Sequence, residues 1–457
     1  MKKLLHLFLL LIFISTYSGI SIAKKFIVIP PDSSSSLVDR TAALYLIDEG
    51  KKFFNQGKTI DALRKFREAY VRDKYSSRAA YWIGRAHYSM DNYGYALKYA
   101  KIAESLSEAV DGEVFLLLGE AYHRQSLLDS ARMNYDLAKI QMSPSKQDDY
   151  GIDQKIAEVS FAQSVQNKEI KYKKELLPQG VNSGYDDYGA FLAPSGKTLY
   201  FISRRPDTKG GQLNPDDQRF FEDIYTATWS DSLNTWVQVT NDVERLNSDG
   251  FDGVGHILHS GDEIFLTINT SVVDAKPETK SSDICTAKAT NQDRWSSPKV
   301  IKNKTINTTF FDGAPTLTAD GNTMYFVTDR NGEKSRSDIW VVSKVGTKWG
   351  EAKPLPMSVN TAGNETTPFI TPDGRYLFFS SDGRRGMGGY DIYVTENLGD
   401  SWSEPKNLGP EFNTVNNDLY FSYFEEFKKA YLATYRLEGS KASIDLFELN
   451  LAGWKIP

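Results

Sequence analysis

The sequence predicts a multidomain α and β protein: an N-terminal all-α superhelix of paired helices followed by an all-β five-bladed propeller. Three observations predict it. Small residues recur every 34 to 35 positions between residues 39 and 144, the period of a helix-pair repeat. Beyond residue 168, three independent markers each occur five times. Between the markers lie short β-branched and aromatic runs divided by Asp-Gly and Gly-Gly turns, the pattern of four-stranded antiparallel sheets.

The chain begins with Lys2 and Lys3, an apolar run from Leu4 to Ile14, and Ser21-Ile22-Ala23, small enough for a signal peptidase. Residues 1–23 therefore read as a secretory signal peptide, with no transmembrane span expected after its removal. Residues 24–38, with Pro30-Pro31 and Ser33 to Ser36, read as a linker. The single cysteine, Cys285, excludes an internal disulfide and leaves none near the leader to carry a lipid. An exported chain of 457 residues with no disulfide fits a bacterial periplasm, soluble and not a lipoprotein. Hydrophobic content of 40% and charged content of 25% are those of globular domains. A net charge of -5 supplies no basic field, so nucleic acid is not an expected partner.

Gly50, Gly84 and Gly119 set the helical register, each followed by Ala62, Ala96 and Ala131, and then by Ala69, Ala103 and Ala138. Small residues at these places let paired helices approach closely. Residues 39 to 144 resemble three tetratricopeptide repeats, and a further helix over about Gln147 to Gln166 is expected to cap them, so that the domain spans 39–166. The resemblance implies a concave groove that binds partner peptides, lined here by Lys51, Asn55, Arg78, Tyr81, Arg85, Tyr88, His123 and Arg124. Arg and Tyr mixtures of this kind make binding hot spots. An intramolecular face packed on the propeller is the other reading of the same residues.

Residues 168–457 carry the propeller. Tryptophans recur at 236, 295, 349, 402 and 454, at intervals of 52 to 59 residues. An Asp-hydrophobic step recurs at Asp223-Ile224, Asp283-Ile284, Asp338-Ile339, Asp391-Ile392 and Asp445-Leu446, and Asn before Ser or Thr at Asn182, Asn247, Asn307, Asn360 and Asn413. The chain stops three residues after Trp454, while strand 169–176 precedes the first Asn marker, so that strand is expected to complete blade five. In blade five, Glu425-Glu426 and Lys428-Lys429 replace the Asp-Gly turn. Runs such as Leu199 to Arg204, Met324 to Arg330 and Leu377 to Asp382 resemble PD40, or WD40-like, propeller repeats of Bacteroidetes envelope proteins.

Candidate chemistry is sparse. A carboxylate near the start of each innermost strand, Asp186 (with Asp187), Asp252, Asp312, Glu365 and Asp418, could ring one channel mouth and hold a cation or a basic segment; capping of turns or pairing with Arg204 or Arg330 is the plainer reading. The Gly-rich loop Gly383 to Gly389 lacks the Lys-Ser step of a phosphate cradle. It is expected to expose Arg384, Arg385 and Met387 to a partner. His256 and His259 read as surface or turn residues. No catalytic residues, metal site or cofactor are expected.

The combination of modules is similar to the tetratricopeptide and propeller subunit associated with type IX secretion, without its OmpA-like domain, so peptidoglycan binding is not expected. The resemblance implies a non-enzymatic periplasmic scaffold for envelope or secretion-system proteins. A glycan-binding or glycan-cleaving propeller is the alternative.

Overall fold

The structure is a computed structural model that describes residues 35–107, 111–214, 217–243, 245–269, 282–291, 294–330, 336–438 and 441–457. The expected signal peptide lies outside them. Three helix pairs come first: α1 (Leu37–Asn55) with α2 (Thr59–Arg72), α3 (Ser77–Ser89) with α4 (Tyr93–Leu106), and α5 (Gly112–Arg124) with α6 (Leu128–Gln141). The first helix of each pair opens on a side-chain cap: Ser36, Ser76 and Asp111 accept from the amides of Asp39, Ala79 and Glu113. The turn inside each pair carries a left-handed residue, Gly57, Asp91 or Ser126.

The small-residue register does what close packing requires. A Cβ on Gly119 would stand 2.5 Å from the Tyr135 ring, and one on Gly84 would stand 2.9 Å from Leu117. Ala62, Ala96, Ala131 and their successors Ala69, Ala103 and Ala138 are fully buried. The helices are tetratricopeptide-like. The capping helix differs from expectation: it is two helices, α7 (Pro144–Asp149) and α8 (Ile152–Val165). Pro144 suits a first helical position, and Gly151 at φ +59° breaks the run between them.

Five sheets follow, and together they form a five-bladed propeller. Their innermost strands are Asp187–Leu192, Phe251–Ile257, Asp312–Leu317, Glu365–Ile370 and Asp418–Phe424. Blade five takes its outermost strand from the start of the domain: Glu175–Leu176 pairs antiparallel with Lys441–Asn450. The closing strand is thus two residues of the expected 169–176.

The recurring asparagines explain why two of the sequence markers travel together. Asn247, Asn307, Asn360 and Asn413 each turn a side-chain amide onto the backbone of the Asp-Ile step in the preceding blade. The amide oxygen accepts from the Ile224, Ile284, Ile339 or Ile392 N–H, and the amide nitrogen donates to the same residue's carbonyl, all at 2.7 to 3.0 Å. An Asn side chain reproduces a peptide group, so it extends the sheet by one rung without another strand.

A second repeated feature was not legible. Each innermost strand breaks register near its middle. Residues at four of these bulges have positive φ, namely Gly189, Ala314, Thr367 and Tyr420. The bulge aims an amide sideways at the neighbouring blade: Ala314 N donates to Thr267 Oγ1 at 2.8 Å and Tyr420 N to Thr367 Oγ1 at 3.2 Å. Blades are therefore bonded to each other around the channel as well as packed.

Candidate functional site

The helical domain and the propeller meet in a bonded seam. At the end of α5, His123 Nε2 donates to the Met387 carbonyl at 2.8 Å and Arg124 Nη1 to the Val415 carbonyl at 2.9 Å. Burial pushes the His123 pKa down to about 3, so its ring is neutral at this contact. From α8, Gln154 donates to the Asp382 carbonyl, and Arg385 lies over the Phe161 ring. From the turn before α4, Asp91 accepts from Arg219 at 3.1 Å and, through its carbonyl, from Ala442 N at 2.9 Å. Met387 and Val415 belong to the same buried apolar cluster as Leu116, Leu128 and Tyr135.

This seam corrects the reading of the Gly-rich loop. Met387 is 7% exposed, under the helices, and only Arg385 remains exposed. Arg384 is a structural residue: it donates to the Ser358 and Val359 carbonyls, as Arg205 does to Gly180 and Val181 and Arg330 does to Thr305 and Ile306. Gly388 shows why the loop is rich in glycine. Its φ is +137°, and a Cβ there would lie 2.7 Å from the His123 ring.

The groove residues divide into two groups. Arg85, Tyr88, His123 and Arg124 are committed within the chain. Arg85 pairs with Glu120, which Lys155 of α8 also reaches at 3.1 Å, while Arg124 Nε donates to Tyr88 Oη at 3.3 Å. Tyr81 is buried against Trp82. Lys51, Asn55 and Arg78 are not so engaged: Asn55 and Arg78 are exposed, and Lys51 lies over the Trp82 ring at 5.3 Å. The structure thus leaves the groove open along α1 and at the start of α3, closes the rest of α3 against α5, and fills the third repeat from α8 and the propeller loop. Sequence reading missed Asp91, Gln154, Lys155, Phe161 and Val415; the Gly388-Gly389 pair was the one signal of a close backbone approach.

The carboxylates form no ring of free ligands. Asp187, Asp252, Asp312, Glu365 and Asp418 each accept from the backbone N–H and the hydroxyl of the Ser or Thr four residues earlier, the N–H bonds being 2.6 to 2.8 Å. The blade-one member is Asp187; Asp186 instead bridges to Arg219 at 2.9 Å and so supports the seam. Asp187 and Asp312 also bind Arg205 and Arg330, whereas Arg204 pairs with Asp217. Asp252 has no arginine partner among the described residues, and burial raises its pKa to about 7. Among the described residues no cluster of three His, Cys, Asp or Glu could hold a metal ion. Cys285 is buried, its thiol pushed up to about 12 by burial.

The other end of the channel is different. There the last residues of all five innermost strands enclose an apolar cleft of about 440 Å³, lined by Phe191, Ile257, Leu317, Phe369 and Phe424 with Glu425, Glu426 and Phe427 at one side. His256 lines it too, and is buried in its strand, not at the surface as its spacing suggested.

No protein-family description matches the chain, and no curated protein does. Solved structures are similar to its two parts. The first tetratricopeptide domain of human RPAP3 is 19% identical, over 26% of this chain and 97% of that one, with a TM-score of 0.23. An α-L-arabinofuranosidase from Podospora anserina, in complex with cellotriose, is 10% identical over 61% of this chain and 95% of that one, at a TM-score of 0.36. An α-L-arabinofuranosidase from Clostridium thermocellum is 12% identical over 60% and 84%, at 0.33.

Proposed function

We propose that this protein is a non-enzymatic scaffold of the bacterial periplasm, binding protein partners of the envelope or of a type IX secretion-associated complex. One observation carries the reading. The helical repeats are fastened to the propeller through Asp91 of the second pair and through the third pair, and this leaves α1 and the start of α3 open, with Lys51, Asn55 and Arg78 on them. A groove held on a rigid base loses less entropy when a peptide binds. Leu37, Val38 and Tyr45 are exposed on the same helix as Lys51 and Asn55. The carboxylates that could have served acid-base chemistry are committed to blade turns. Export to the periplasm rests on residues 1–23 alone. Among the described residues no helix is long and apolar enough to cross a membrane.

The test is crosslinking and affinity purification of the full chain from periplasm, beside a Lys51→Glu, Arg78→Glu variant. The expected result is an envelope protein recovered with the parent chain and lost with the variant. Recovery of none, together with saturable binding of a soluble oligosaccharide, replaces the scaffold with the glycan-binding reading.

A further inference from the structure

The cleft at the far channel mouth is distinct from the groove. The seam uses loops at the end where the innermost strands begin: Met387 lies between the second and third strands of blade four, and Val415 just precedes Asp418. The cleft uses the end where those strands finish, so the helices do not cover it. All five blades contribute to it, which makes it as rigid as the ring.

Its chemistry is specific. The walls are Phe191, Leu317, Phe369, Phe424 and Phe427 with Pro194 and Pro372, and its volume falls within the range of about 300 to 1,000 Å³ usual for ligand sites. Few polar groups are available inside: His256 lies within the wall and the exposed His259 at its edge. His256 is 7% exposed with no hydrogen-bond partner for its Nδ1 among the described residues, and burial holds its ring neutral. A sugar buried here would leave most hydroxyls unpaired, whereas an apolar side chain would not.

The rim is acidic. Glu425 and Glu426, the two carboxylates of the lining, are exposed where blade five abandons the Asp-Gly turn. The nearby lysines and arginines are largely taken: Lys197 pairs with Asp231, Arg375 with Glu396 and Lys429 with Glu448, so that among the described residues Lys428 is the lysine left beside the carboxylates. Such a rim attracts positive segments and repels acidic ones.

We propose that this mouth receives a large apolar side chain, aromatic or aliphatic, from a partner polypeptide segment whose flanking residues are basic. The inference deepens the scaffold reading by giving it a second docking point on the face away from the helices. The departure of blade five from the repeat is then the part of the ring shaped for binding.

Fluorescence polarisation tests it, using the full chain and short capped peptides with a central Trp, Leu or Ser flanked by lysines, and cellohexaose as a neutral glycan. Two variants report on the site without touching the core. Ala319→Trp, at an exposed lining residue, plugs the mouth, and Glu425→Lys with Glu426→Lys reverses its rim. Circular dichroism checks that both stay folded. Trp- and Leu-centred peptides are expected to bind, Ser-centred ones not; the plug should abolish binding, and rim reversal should weaken it roughly five- to tenfold at low salt. Equal binding of the Ser-centred peptide, indifference to both variants, cellohexaose binding blocked by the plug, or no binding by any probe would overturn the proposal. The groove variant at Lys51 and Arg78 leaves this assay untouched, so the two sites fail separately.

Discussion

Asn182 and Leu446, 264 positions apart, close the ring. The Asn182 side chain accepts from Leu446 N at 2.8 Å and donates to Leu446 O at 2.9 Å. The same contact is made in every other blade by residues only 21 to 23 apart, so the closing joint differs in chain separation and not in chemistry. Its own strand, Glu175–Leu176, contributes two residues of pairing, and the amide carries much of the joint.

Asn182→Ala therefore orphans the fully buried Leu446 N–H and should cost roughly 1 to 3 kcal/mol. Asn413→Ala orphans Ile392 in the same way and is the control. The two should match in chemical denaturation, yet only Asn182→Ala should speed hydrogen exchange along the 441–450 strand, because only there can the ring open. Equal exchange in both variants would remove the special role of the joint.

Gly388→Ala should loosen the seam. The new methyl meets the His123 ring, and its φ suits glycine alone, so the loop must move and the Met387 carbonyl with it. Hydrogen exchange is expected to rise in α5 and α8 while the propeller keeps its protection. Unchanged exchange in the helices would mean that the seam is held elsewhere.

Arg85→Ala leaves Glu120 with Lys155 as its remaining ionic partner. Glu120 is 7% exposed at its side chain and Arg85 24% exposed, so solvent screens part of the loss. A destabilisation of about 2 kcal/mol is expected, below the 3 to 5 kcal/mol of a wholly buried pair. Thermal melts of Arg85→Ala and Arg85→Lys check it; an unchanged midpoint for the alanine variant would show that Lys155 suffices.

Asp252 predicts a pH effect of definite sign. Its folded pKa of about 7 is above the ordinary carboxyl value, so the native state holds its proton where the unfolded chain has released it. Its contribution is fully present below about pH 4, declines as pH rises towards 7, and is flat above. Asp252→Asn carries no such titration. Urea midpoints of the parent should fall relative to the variant between pH 4 and pH 7; parallel midpoints across that window would contradict the assignment. Buried neutral His87, His123 and His256 act in the opposite direction, losing stability as pH falls from about 6.5, and they cancel in the comparison because both proteins carry them.

The site was legible in part. Lys51, Asn55 and Arg78 were named from the helical register and remain open. Arg384 and Met387 read as a free loop tip, because a local run of glycine and arginine looks the same whether solvent or another domain covers it. Adjacent Asp186 and Asp187 look alike in the sequence; Asp187, which opens the strand, is the one that faces its Ser183 cap, while Asp186 just before it turns to Arg219.

What the sequence determined by itself was everything that repeats. Each helix pair and each blade solves one packing problem with the same residues, so a glycine against a ring or an asparagine against a strand leaves a periodic trace in the chain. What only the tertiary structure decided was what happens once: the helices fastened over the Met387 loop, Asp186 turned to Arg219, five strand ends gathered into an apolar mouth beside Glu425. These depend on contacts between residues hundreds of positions apart. A contact made once has no period to betray it.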